Sequence, residues 1–341
     1  MVARFTPEKP IVSADWLKSH LTAPDVRVLD CTYFMPGSPR TGRQAYDAHH
    51  IPGARFFDID DIADTGIPLP HMLPQPDKFS SRVRRLGLGD GHRVICYDQN
   101  GYLASARVWW MFRAMGHGDV SVLDGGFEAW RTAGGAVEDL PPHFQADRHF
   151  TVRPRRDLVR DMEQVKQVLA SHSAQVVDAR SAARFRGEVD EPRPGLRRGH
   201  MPGAINVPYN EVIGASGLMK SEAEIKAVFA KAGVDLAKPI INSCGSGVTA
   251  ATLALAQSLA DGHALLDFVD LPGQLVKFAN AFHGFGQEQR FLSDFFRRGC
   301  GGAGSGRLLA FLAAGCGARR ELGAESLESL GGVVSMGDQL L

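Results

Sequence analysis

Short apolar runs alternate with stretches of helical periodicity along this chain, and the alternation occurs twice. Val26-Arg27-Val28-Leu29-Asp30 is an apolar run closed by Asp, and Gln175-Val176-Val177-Asp178 repeats it. A helix-like stretch and a His-x-Pro-Gly-Ala turn follow each, at His50 to Ala54 and at His200 to Ala204. Next comes a Gly-containing approach, Leu86 to Asp90 in one copy and Ala232 to Leu236 in the other. A second buried run closes the unit, Val94-Ile95-Cys96-Tyr97 against Ile240-Ile241-Asn242-Ser243. Near-continuous apolar runs separated by helical segments predict parallel strands with crossover helices, an α/β fold. The repeat is too long for a solenoid and suits a duplicated domain.

Pro and charge enrichment between Asp139 and Asp157 marks a linker between the copies. The expected organisation is a first domain at 1–141, a linker at 142–157, a second domain at 158–285 and a divergent, Gly-rich tail at 286–341. Arg153, Arg155 and Arg156 read as a solvated part of the linker. The 341 residues suffice for two domains with their own cores.

Charge adds mainly exclusions. Lys plus Arg and Asp plus Glu number 38 each, so no nucleic-acid or membrane-surface partner is indicated. No apolar run is long enough to span a membrane, Met1 to Pro10 lacks a signal-peptide core, and a reducing, cytoplasmic location is expected. Five cysteines (Cys31, Cys96, Cys244, Cys300, Cys316) are too few and too scattered for a disulfide framework. None has the spacing of a zinc site, so no metal is expected.

The two copies differ where chemistry is expected. In open parallel sheets ligands bind beyond the carboxyl ends of the strands. There the second copy has Cys244-Gly245-Ser246-Gly247-Val248-Thr249, whereas the first has Asp98-Gln99-Asn100-Gly101. Only the second copy offers a nucleophile. Gly245 and Gly247 let the backbone curl with its N–H groups inward. The apolar run from Val248 to Leu259 predicts a buried helix starting just behind Cys244. Inward N–H groups and a helix start favour a thiolate and a bound persulfide. A lone Cys is more often a small buried hydrophobe; here two glycines and the helix start weigh for function. A cysteine phosphatase needs an Arg where this chain has Ala250, and no Cys-His pairing signals a protease.

Together these residues resemble the tandem rhodanese-like sulfurtransferases, in particular the 3-mercaptopyruvate type. The resemblance runs from about Ser13 to about Ala260. It includes Asp15-Trp16-Leu17, Phe56-Phe57-Asp58-Ile59-Asp60, His71-Met72-Leu73-Pro74, Trp109-Trp110-Met111 and Leu123-Asp124-Gly125-Gly126-Phe127. Thiosulfate-using members typically carry basic residues in the Cys loop, and the neutral Gly245-Ser246 looks like the mercaptopyruvate type. The resemblance implies that Arg184 and Arg193 hold the carboxylate and keto group of the donor, a task that suits guanidinium forks. From composition alone, these arginines would instead pair with Glu188, Asp190 or Glu191. It also implies that Gly245, Gly247, Val248 and Thr249 line the donor site.

Ser246 resembles the loop serine that works in this family with a His and an Asp of the first domain. His50 matches that His, but the family's Asp, about eleven residues earlier, has no counterpart around Pro39, Arg40 and Thr41. His50 would otherwise brace its Pro-Gly turn, as His200 does. Arg107 matches a family position and would add charge at the cleft between the domains. The implied reaction moves sulfur from 3-mercaptopyruvate through a Cys244 persulfide to a thiol, thioredoxin or cyanide, with pyruvate released and no cofactor required. The alternatives are thiosulfate as donor, or a non-catalytic rhodanese-like binding module. In the second copy Leu265 to Pro272 lacks the Asp-Gly-x-Trp segment that the family carries there.

Overall fold

A computed structural model describes residues 9–141, 147–193 and 195–261, together with the backbone of 267–269. The tail at 286–341 lies outside the described residues, as do Cys300 and Cys316.

Each copy builds one five-stranded sheet, and the two sheets share a strand order. In the first, β1 (Ile11–Val12), β2 (Val26–Asp30), β3 (Arg55–Phe56), β4 (Arg93–Tyr97) and β5 (Val120–Leu123) lie in the order β1-β5-β4-β2-β3. In the second, β6 (Val159–Arg160), β7 (Gln175–Asp178), β8 (Ile205–Asn206), β9 (Ile240–Ser243) and β10 (Asp267–Val269) lie in the order β6-β10-β9-β7-β8. Every pairing is parallel. The sister strands β4 and β9 are interior, each with a neighbour on both sides, so their apolar residues are buried on both faces.

A strand therefore runs where the sequence lacks the family's closing segment. β10 pairs with both β9 and β6, the place that β5 holds in the first sheet. The sheet is completed by backbone hydrogen bonding, which any sequence can supply.

Helix starts follow local chemistry. Thr41, Asp161 and Ser221 each close a capping box with Gln44, Gln164 and Glu224. Two helices differ from the amphipathic pattern, α4 (Ser105–Ala114) and α9 (Ala250–Asp261). In α4 every residue except Arg113 is buried, including Trp109 and Trp110. Residues 250–257 of α9 are buried as well. A helix apolar on all sides must be covered on all sides. Here each helix lies on its own sheet and also packs on the other. The loops that precede them, one in each copy, are thereby brought to a common interface.

The linker is anchored rather than loose. Phe150 is buried against Phe79, Phe112 and His117, and Arg153 and Arg155 donate backbone N–H bonds to Met115 and Ala114. The side chains of Arg153, Arg155 and Arg156 are exposed, as their charge predicts. Among the described residues no helix is long and apolar enough to cross a membrane.

Candidate active site

Cys244 follows β9 directly and lies at the bottom of the loop that leads into α9, at 6% exposure. Gly247 adopts φ +75°, a conformation that favours glycine, so the loop curls back before the helix starts at Ala250. Cys244, Gly245, Ser246, Val248 and Thr249 form one wall of a pocket of ≈ 50 Å³. Arg184, Glu191 and Arg193 of the same copy form another wall, and Met35 and Leu103 of the first copy close it. The structure thus brings Cys244, Ser246, Arg184 and Arg193 together. Gly247 is placed behind the wall, where its carbonyl accepts from Arg107 at 3.4 Å.

Gly245 leaves room for a close approach. A Cβ there would sit 2.7 Å from Nη2 of Arg184, so the guanidinium lies directly over the loop. Arg184 is held in that position by Glu191, a buried carboxylate to which it donates from Nε at 3.2 Å and also from Nη2. Pairing of these arginines with acids was the alternative expected from composition, and for Arg184 it is realised at the pocket wall itself. Arg186 and Arg198 pair with Glu188 and Asp190 on the exposed surface. Arg193 reaches the first copy instead, where it contacts the Tyr33 hydroxyl and sits in the field of Asp60.

His50 is not part of this site. Its Nδ1 bonds the carbonyl of Tyr46 at 2.8 Å, its ring stacks on Tyr46 at 4.1 Å, and Nε2 is 3.5 Å from Glu138. His200 does the same in the second copy, with Nδ1 2.7 Å from the Phe185 carbonyl and its ring stacked at 3.7 Å on Phe185. Both histidines clamp the Pro-Gly turn onto the preceding helix, a scaffold role that the duplication has preserved twice.

A second buried histidine of the first copy is His71. Its Nε2 is 2.9 Å from Oδ1 of Asp60, and its Nδ1 is buried with no hydrogen-bond partner among the described residues. The imidazole is buried whereas Asp60 is 64% exposed, and the hydrogen bond from His71 holds the Asp60 carboxyl below the usual carboxylate range. With Nε2 donating to the carboxylate, Nδ1 is left as an acceptor. His71 has φ +58°, outside the common range for a non-glycine residue, and the Tyr33 ring meets its edge at 4.9 Å. Asp60 and His71 have the separation sought in vain before His50.

Arg107 ties this pair to the Cys244 loop. Fully buried on α4, it donates to the His71 carbonyl at 2.7 Å and to the Gly247 carbonyl, with its guanidinium 4.6 Å over the Trp110 ring. A second link passes through Tyr102, itself at φ +62°. Its carbonyl accepts from Thr252 on α9 at 3.0 Å, and its hydroxyl bonds Asp124. Asp124 also accepts the Met219 N–H of the second copy at 2.9 Å. Burial and the Asp124 carboxylate both push the Tyr102 phenol up, so it remains a donor.

The sequence and the fold have counterparts among known proteins. The model of the rhodanese-like domain matches residues 13–133 and again 161–281. The 3-mercaptopyruvate sulfurtransferase of Escherichia coli (strain K12) is 45% identical over 258 residues, which span 73% of this chain and 89% of that protein. The Homo sapiens protein of the same name is 40% identical over 260 residues, with 72% and 85% covered. The crystal structure of the E. coli 3-mercaptopyruvate sulfotransferase superposes with a TM-score of 0.71 at 39% identity, covering 77% of this chain and 98% of that one.

Proposed function

Because the chain belongs to the rhodanese-like domain family and carries that domain twice, we propose that it is a sulfurtransferase with 3-mercaptopyruvate as donor and Cys244 as sulfur carrier. The observation that carries this reading is the pocket that sets Cys244 and Ser246 against Arg184 and Arg193. Planar guanidinium groups suit the carboxylate and keto oxygens of an α-keto acid. The thiolate of Cys244 attacks the donor sulfur, and the carbon–sulfur bond breaks with its electron pair going to carbon. The resulting enolate takes a proton and leaves as pyruvate, while Cys244 keeps the sulfur as a persulfide.

Proton delivery falls to Ser246 together with His71 and Asp60, in place of His50. Asp60 orients the imidazole, and the buried Nδ1 is the atom left to exchange a proton. A small thiol, thioredoxin or cyanide then removes the outer sulfur and restores the thiolate. A reducing, cytoplasmic compartment suits such an acceptor.

The test is to mix the full-length protein with 3-mercaptopyruvate and follow pyruvate release and the mass of the Cys244 peptide. Pyruvate should appear with a gain of one sulfur on Cys244, and Cys244→Ser should show neither. Pyruvate release by the Ser variant would remove Cys244 from the reaction, and faster turnover on thiosulfate would change the donor.

A further inference from the structure

Glu191 is a carboxylate on the wall of a pocket meant for an anion. Its side chain is only 3% exposed. Behind it, the buried Arg180 donates to Oε1 at 2.8 Å and uses its other edge on both oxygens of Asp178, at 3.0 and 2.6 Å. In front, Arg184 donates to both Glu191 oxygens. The four charges Asp178, Arg180, Glu191 and Arg184 alternate in sign and cancel. Arg180 and Asp178 are fully enclosed, so Glu191 and Arg184 are the members of this chain that meet the pocket.

The charges lining the pocket are therefore two arginines, Arg184 and Arg193, and one carboxylate, Glu191. Asp60 stands beyond Arg193 but is largely solvated, and water and salt screen it. A net charge of plus one matches a singly charged donor. A dianion would bring a second negative charge against Glu191 in a site where burial limits screening.

We propose that Glu191 is a specificity-determining residue that restricts the pocket to singly charged sulfur donors and disfavours dianions such as thiosulfate. This rests on the sulfur-transfer reading above. It assigns to a residue on the facing wall a discrimination otherwise sought in the Cys244 loop. If Glu191 served only to hold Arg184 in place, its geometry would matter and its charge would not.

The experiment uses the full-length chain with Glu191→Gln, which removes the charge at constant shape, and Glu191→Asp, which keeps the charge and moves it. kcat/KM is measured for 3-mercaptopyruvate and thiosulfate, and competitive inhibition for pyruvate and sulfate, at low salt and in added sodium chloride. Wild-type protein should bind pyruvate more tightly than sulfate. E191Q should raise the thiosulfate-to-mercaptopyruvate ratio roughly tenfold and tighten sulfate relative to pyruvate by a similar factor, with both gains shrinking as salt rises. E191D should keep the wild-type ratio. A ratio that moves less than twofold in E191Q, or as far in E191D as in E191Q, overturns the proposal. Sulfate binding the wild type as tightly as pyruvate does so without any variant. If the wild type moves sulfur from neither donor, the sulfur-transfer reading fails, and direct binding of pyruvate and sulfate, measured by titration calorimetry on wild type and both variants, still reports on Glu191.

Discussion

The loops that follow β4 and β9 are built alike and filled differently. In the first copy, Asp98 stands where the second has Cys244, and the Asp98 carboxylate turns back into its own loop. It accepts the N–H groups of Tyr102 at 3.0 Å, Ala104 at 3.0 Å and Ser105 at 2.9 Å. Counting along the two loops, these positions correspond to Val248, Ala250 and Ala251. The first loop thus closes on a carboxylate of its own, and the second presents sulfur in the equivalent position. One backbone design serves as a closed structural joint in one half and as the cup around the proposed sulfur carrier in the other. The choice is made by a single side chain at the strand end.

The comparison is broken most severely by copying the first loop into the second. Cys244→Asp should abolish sulfur transfer, at least 10⁴-fold below wild type, while thermal unfolding shows the fold retained. Pyruvate release above that level would mean that the cup does not act through Cys244. A smaller effect separates the histidines. His71→Asn should lower kcat by roughly 10²-fold, whereas His50→Asn should leave kcat within about twofold and cost about 1 kcal/mol of stability through the lost clamp on its turn. A collapse of kcat in folded His50→Asn protein would return the proton relay to the Pro-Gly turn. The mildest change loosens the closed loop. Asp98→Asn keeps the shape but removes the charge and sets an NH2 group against N–H donors on one side, for about 1–3 kcal/mol in urea unfolding, with sulfur loading of Cys244 intact. Equal stability would show that the first loop does not depend on its carboxylate.

Much of the architecture was legible because buried parallel strands read as unbroken apolar runs. The runs at Val26–Asp30, Gln175–Asp178 and Ile240–Ser243 have the observed boundaries. The two-residue edge strands, such as Arg55–Phe56 and Ile205–Asn206, carry too little pattern to be seen. Cys244 stood out because of a difference between sister loops. His71 did not, because its burial and its pairing with Asp60 show only in the folded chain. The repeated His-x-Pro-Gly-Ala turn drew attention to His50, although repetition is what a scaffold residue should show and a catalytic residue in one active copy should not. The spacing of Asp60 and His71 was the signal available. Glu191 lay within a highly charged segment, and only burial distinguishes it from Glu188 and Asp190, which are paired at the surface. Tyr102 and Asp124 link the copies through the backbone N–H of Met219, a contact that no side-chain pattern records.

The guanidinium of Arg107 has a consequence for the history of such a chain. After a duplication, two halves are normally free to diverge, and one can decay or be lost. Here one side chain, rooted in the half without the thiol, holds the carbonyls of both His71 and Gly247. A change in the first half that moved this guanidinium would release a carbonyl of the Cys244 loop in the second. The two halves are thus tied at the level of a single residue, and divergence in one is constrained by the backbone of the other.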